Sequence, residues 1–103
     1  VEFARMLVEA GADVNQSCTD DGATPLLMAA LEGHAQMASV LMAAGADVNK
    51  GRADDGATPL IMATEAGDVE MARVLLDAGA DANQGRSDSS ATPLVVAAEK
   101  GNV

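Results

Sequence analysis

Cys18 and His34 are the sole cysteine and histidine of this chain. A thiolate beside an imidazole is a nucleophile with its base. That chemistry also needs a group to orient the base, and no spacing here supplies one. The residues 34 and 68 positions after Cys18 are Arg52 and Arg86, which places Cys18 at a variable tip. His34 in turn aligns with Asp68 and Asn102. Exchange among His, Asp and Asn suits a hydrogen-bonding helix start better than a metal ligand. Asp20-Asp21-Gly22 and Asp54-Asp55-Gly56 have the oxygen density of a calcium loop. An EF-hand loop needs oxygen ligands at positions 1, 3, 5 and 12 around a glycine at 6. With Gly56 at position 6, Gly51, Ala53 and Met62 fall at 1, 3 and 12, so the motif fails and a solvated acidic turn remains. No glycine pattern matches a phosphate-binding fingerprint. The chain is read as non-enzymatic, with no catalytic residue, metal or cofactor.

Composition narrows the partners. Apolar residues make up 49 % and charged residues 21 %, a globular balance. Phe3 is the only aromatic residue, so no stacking platform for single-stranded nucleic acid is available. Six Lys and Arg stand against sixteen Asp and Glu, for a net charge of −10. Such a surface repels phosphate backbones and anionic lipid, which excludes nucleic acid and membrane surfaces as expected partners. No apolar run approaches the roughly 20 residues that span a bilayer, and no signal peptide is recognisable. A lone cysteine forms no internal disulfide and leans toward an intracellular, cytoplasmic setting.

The elements that carry these residues repeat. Thr-Pro-Leu recurs at Thr24, Thr58 and Thr92, and Gly-Ala-Asp-x-Asn at Gly11, Gly45 and Gly79. Residues 19–52 and 53–86 match at 21 of 34 positions. Each period reads as two short helices and a long connection. Thr24, Thr58 and Thr92 can N-cap the first helix, with Pro25, Pro59 and Pro93 at its first position. Gly33, Gly67 and Gly101 stop it, followed by His34, Asp68 and Asn102 at the next helix start. Met37, Val40 and Leu41, then Met71, Val74 and Leu75, mark one apolar stripe on the second helix, which Gly45 and Gly79 end. Helices of this length are marginal alone and must stack on their neighbours. The first helix is apolar almost all round and belongs in the interior, where Met28, Met37, Met62 and Met71 are expected as core. The expected fold is an all-α linear solenoid with protruding hairpin loops.

The chain resembles the ankyrin repeat family over its whole length. The residues carrying the likeness are Thr24-Pro25-Leu26, Ala29-Ala30, Gly33-His34 and Gly45-Ala46-Asp47-Val48-Asn49. A tetratricopeptide array shares the period but wants Trp and Tyr, which are absent, and longer helices. The sequence departs from the family in three ways. Leu27, Ile61 and Val95 replace the motif's histidine, so apolar packing replaces its hydrogen bonding. The period is 34 rather than 33, and the extra residue falls between Asn49 and Thr58. Ser90 stands where Gly22 and Gly56 occupy the earlier turns, which puts the third turn's geometry in question.

In phase, residues 1–18 are the second half of a repeat, 19–52 and 53–86 are full repeats, and 87–103 are a first half. The whole reads as one segment excised from a longer array. Phe3, Met6 and Leu7 at one end, with Leu94 and Val95 at the other, would then be bare. A marginal fragment that self-associates end to end is expected. The resemblance implies protein–protein interaction through hairpin tips and the concave helix edge. Carried across by position, the tips offer Asp20, Asp21, Arg52, Asp54, Asp55, Arg86 and Asp88, and the hairpin base offers Ala57. The helix edge offers Leu31, Glu32, Glu65 and Ala66. Arg52 and Arg86 are the expected anchors, because arginine is enriched at hot spots. A protein partner of basic or mixed charge fits this surface. The alternatives are a structural spacer without a dedicated partner, or a regulatory segment of a larger enzyme.

Overall fold

A computed structural model describes residues 2–17 and 22–101. It contains α1 (Glu2–Glu9), α2 (Pro25–Glu32), α3 (Ala35–Ala43), α4 (Pro59–Ala66), α5 (Val69–Asp77) and α6 (Pro93–Lys100). Among the described residues no strand forms, so the expected hairpins are turns rather than ribbons. Cys18, Asp20, Asp21 and Asn102 lie outside the described residues.

Local chemistry sets the first helices. Thr24, Thr58 and Thr92 accept through Oγ1 from the N–H of Leu27, Ile61 and Val95. Each satisfies a donor that a helix start leaves open. Gly33, Gly67 and Gly101 close the helices with φ of 76°, 70° and 69°. Asp68 caps α5 by accepting from the Met71 N–H at 3.1 Å. His34 occupies the same place before α3 but makes no side-chain capping bond, which corrects the expectation for it. A carboxylate oxygen sits close enough to its own backbone to reach back; an imidazole nitrogen, on a larger ring, is not among the groups that favour this position.

The helices form two layers. α2, α4 and α6 stack side by side, and α1, α3 and α5 stack behind them. Each helix pair, α2 with α3 and α4 with α5, packs antiparallel across one short turn. The core lies between the layers: Leu26, Leu27, Ala29, Ala30, Ala38, Leu41, Leu60, Ile61, Ala63, Met71 and Leu75 are buried. Small Ala side chains let the helices approach closely. Of the methionines placed in the core from sequence, Met62 and Met71 are buried and Met37 is partly so. Met28 is an exception at 46 % exposure. Among the described residues no first-layer helix precedes α2, whereas α4, which carries Met62, packs on α2.

The connections form a third tier. Asp13, Asp47 and Asp81 each accept, through Oδ1, from the N–H two residues on. The following Asn reaches into the next repeat: Asn15 Oδ1 accepts from the Asp47 N–H and Asn49 Oδ1 from the Asp81 N–H, both at 2.7 Å. Successive connections are thereby held in register.

Candidate functional site

The hairpin tips rise from this tier. In the middle tip, the Arg52 N–H donates to the Ala57 carbonyl at 3.0 Å, and the Gly56 N–H donates to the Arg52 carbonyl at 2.8 Å. The third tip repeats both bonds, Arg86 to Ala91 at 3.0 Å and Ser90 to Arg86 at 2.8 Å. Ser90 adopts φ 61°, beside 71° for Gly56, so the turn survives without its glycine. A side chain in this left-handed region is disfavoured by about 1–2 kcal/mol.

Asp55 is the hub of the tips. Its Oδ1 accepts from the Ala57 N–H at 3.0 Å and from Arg52 Nε at 3.2 Å. Its Oδ2 accepts from Arg52 Nη2 at 2.6 Å and from Arg86 Nη2, one repeat on, at 3.0 Å. Arg86 also pairs with Glu65 of α4 at 3.1 Å and Asp88 at 3.2 Å, and Arg52 pairs with Asp54 at 3.3 Å. The hydrogen bond from Arg52 pulls the Asp55 carboxyl down to about 2, against partial burial; the Ala57 N–H and the positive fields of Arg52 and Arg86 act in the same direction as Arg52. The Arg86 guanidinium is raised, first by its hydrogen bond to Asp88.

A carboxyl held below its ordinary value of 3.8 favours the fold once it is ionised. Asp55 therefore contributes its full share above about pH 4 and loses it as the pH falls through about 2. Asp55→Asn is expected to cost about 1–2 kcal/mol near neutral pH, after allowance for solvent screening. Urea midpoints measured from pH 7 to pH 2 should show the difference from wild type shrinking below pH 4. A difference that is constant with pH would deny Asp55 this role.

The face that carries the tips and the ends of α2 and α4 brings several of the sequence-identified residues together. Leu31, Arg52, Met62, Glu65 and Ala66 line one depression of about 260 Å³, where the middle tip meets α2 and α4. Leu31 is 55 % exposed, and Glu32 is exposed beside it. Asp54 and Asp88 stand outward on their tips. Ala57 does not join them. It is 1 % exposed and packs in the core, so its methyl offers no surface to a partner. Arg52 and Arg86 do lie on this side, but with their guanidinium groups already engaged by carboxylates of the chain. Met62, read from sequence only as core, is the residue missed at the floor of the depression. Its spacing of four from Ala66 and three from Glu65, one helix face, was the signal available.

Paired antiparallel helices, capped by Thr-Pro and stacked in two layers under in-register tips, match the family that the motifs suggested. A family model described as ankyrin repeats (3 copies) covers residues 1–86 and 44–103. The chain belongs to the ankyrin repeat family. Ankyrin repeats are in general protein–protein interaction modules, and the family is typically non-catalytic. No curated protein matches the chain significantly. Among the described residues, no helix of this ankyrin segment is long and apolar enough to cross a membrane.

Proposed function

We propose that these repeats bind a protein partner on the concave side, at the depression lined by Leu31, Met62 and Ala66. The observation that supports this most directly is the chemistry of that depression. An apolar floor lies under a rim carrying Glu65, with exposed Glu32 and Asp54 nearby. Arg52 and Arg86 are balanced by Asp54, Asp55, Glu65 and Asp88, so the rim carries no surplus positive charge. Such a surface complements a segment that offers one apolar side chain flanked by Lys or Arg. An intracellular setting suits a chain with one cysteine.

Because the arginines hold the tips together, reversing their charge would disturb the fold as well as the surface. Leu31→Arg with Glu32→Lys is the cleaner variant, since both residues are exposed and outside the ion-pair network. The chain serves as bait in native lysate, and circular dichroism confirms that the variant folds. A partner held by the wild type and lost by the variant is the expected result. Retention by both discards the site, and no reproducible partner in several lysates favours a spacer.

End-to-end association is part of the same reading. Phe3 and Leu94 are each 78 % exposed, and Met6, Leu7 and Val95 are exposed with them. Sedimentation equilibrium across concentrations is expected to show weight-average mass rising above that of the monomer. A concentration-independent monomer would remove this proposal.

A further inference from the structure

The three tips differ where each would touch its successor. At the middle tip, three features hold the next repeat. The Asp55 carboxylate accepts from Arg86 at 3.0 Å, and the Asp55 carbonyl accepts from the Ser87 N–H at 2.9 Å. Gly56 has no side chain, and that absence makes the approach possible: a Cβ there would stand 2.6 Å from the Ser87 nitrogen. The first tip follows the same rule, since a Cβ on Gly22 would stand 2.6 Å from the Ala53 Cβ and 2.9 Å from its nitrogen. In the third tip the two key positions change together. Ser89 stands in place of Asp55 and Ser90 in place of Gly56.

Ser89 and Ser90 preserve the turn itself. The Ala91 N–H donates to Ser89 Oγ at 3.4 Å, as Ala57 does to Asp55, and Ser90 keeps the left-handed φ. What is lost is outward. No carboxylate remains at 89 to receive a following arginine. The Ser90 Cβ occupies the space through which a following backbone would pass, judged by the two earlier tips. Steric clearance and charge are independent requirements, and both fail at one tip. The tier below is unchanged, because Asn83 keeps the amide with which Asn15 and Asn49 hold their successors.

We infer that the tip ladder stops at the third hairpin: a unit stacked on α6 can be held at the helices and the Asn83 connection, but not tip to tip. The concave binding surface built from interlocked tips therefore ends at Arg86–Ala91, whatever sequence follows.

The test restores the lost features and asks whether a successor gains. A second copy of residues 70–103 is appended after Val103, which continues the 34-residue phase. The extension is built on the natural tip and on Ser89→Asp/Ser90→Gly, with both unextended chains as references. Urea unfolding gives the stabilisation that extension brings in each background. The restored tip is expected to gain on the order of tenfold more in folding equilibrium constant than the natural tip, the scale of coupling between contacting sites. Equal gains would overturn the inference. So would an appended unit that stays unfolded in both backgrounds, because the tip would then not be what limits stacking.

A reciprocal test uses the chain without extension. Asp55→Ser/Gly56→Ser gives the middle tip the character of the third. Hydrogen exchange at the Ser87 amide is expected to accelerate at least tenfold, while the Asp81 amide, bonded to Asn49 in the tier below, keeps its protection. Unchanged protection of Ser87 would contradict the inference.

Discussion

Ile61→Ala is expected to destabilise the protein by about 2–5 kcal/mol, the range for removing a large aliphatic side chain from a packed core. Ile61 is fully buried in the first turn of α4, the helix that touches α2, α5 and α6. It stands where the family carries histidine, so its contribution is packing alone. In a solenoid each helix supports only its neighbours, and a cavity in the middle repeat uncouples both sides at once. A small domain has about 5–15 kcal/mol in total, which makes this loss a large share. Urea unfolding followed by circular dichroism measures it. Val95→Ala, at the equivalent but 47 % exposed position in α6, should cost less than about 1 kcal/mol. Similar losses at 61 and 95 would mean that α6 is covered in solution.

Position in the stack, rather than residue type, explains what the sequence left open. The caps were legible because they are local: Thr, Pro and Gly act on backbone groups within a few residues. The period made the layered solenoid legible as well. Burial along the period was not. Leu26 and Leu60 are 1 % and 4 % exposed, yet Leu94 is 78 % exposed in the same register. Leu94 lies on a side of α6 that no described helix covers, and Met28 likewise on a side of α2 that none covers. A local pattern carries no information about which neighbour is present.

The tips show the same division. Arg52 and Arg86 were legible as conspicuous charges on a tip, and their chemistry suggested intermolecular anchors. Their partners lie across the stack: Arg86 meets Asp55 at a separation of 31 residues and Glu65 at 21. Such spacings become meaningful only when the rise from one repeat to the next is known. The substitution of Ser90 for glycine was visible, and geometry in that turn was in question. The structure answers it at φ 61°, with both turn bonds kept. The glycine therefore bears on the contact with a successor as well as on the turn.

Gly56→Ala separates these two uses of glycine. Its φ of +71° already disfavours a Cβ by about 1–2 kcal/mol. The added methyl carbon would also meet the Ser87 nitrogen at 2.6 Å, and backbone is a neighbour that cannot rotate away. Relief requires the third tip to move, which stretches the bond from the Ser87 N–H to Asp55 and the Arg86–Asp55 pair. The expected total is about 2–4 kcal/mol, the sum of backbone strain and a lost inter-repeat contact. Gly79→Ala is the matched comparison: φ is +96° there, but nothing lies within 4 Å of the new carbon. It should show the strain alone, about 1–2 kcal/mol. Ser90→Gly should act in the opposite direction, stabilising by about 0.5–1 kcal/mol as the left-handed penalty is relieved and partly offset by a freer unfolded chain. Urea midpoints of the three variants give the signs, and exchange at the Ser87 amide locates the effect. If Gly56→Ala and Gly79→Ala lose the same amount and Ser87 keeps its protection, the tips do not interlock, and the glycine at 56 serves its own turn alone.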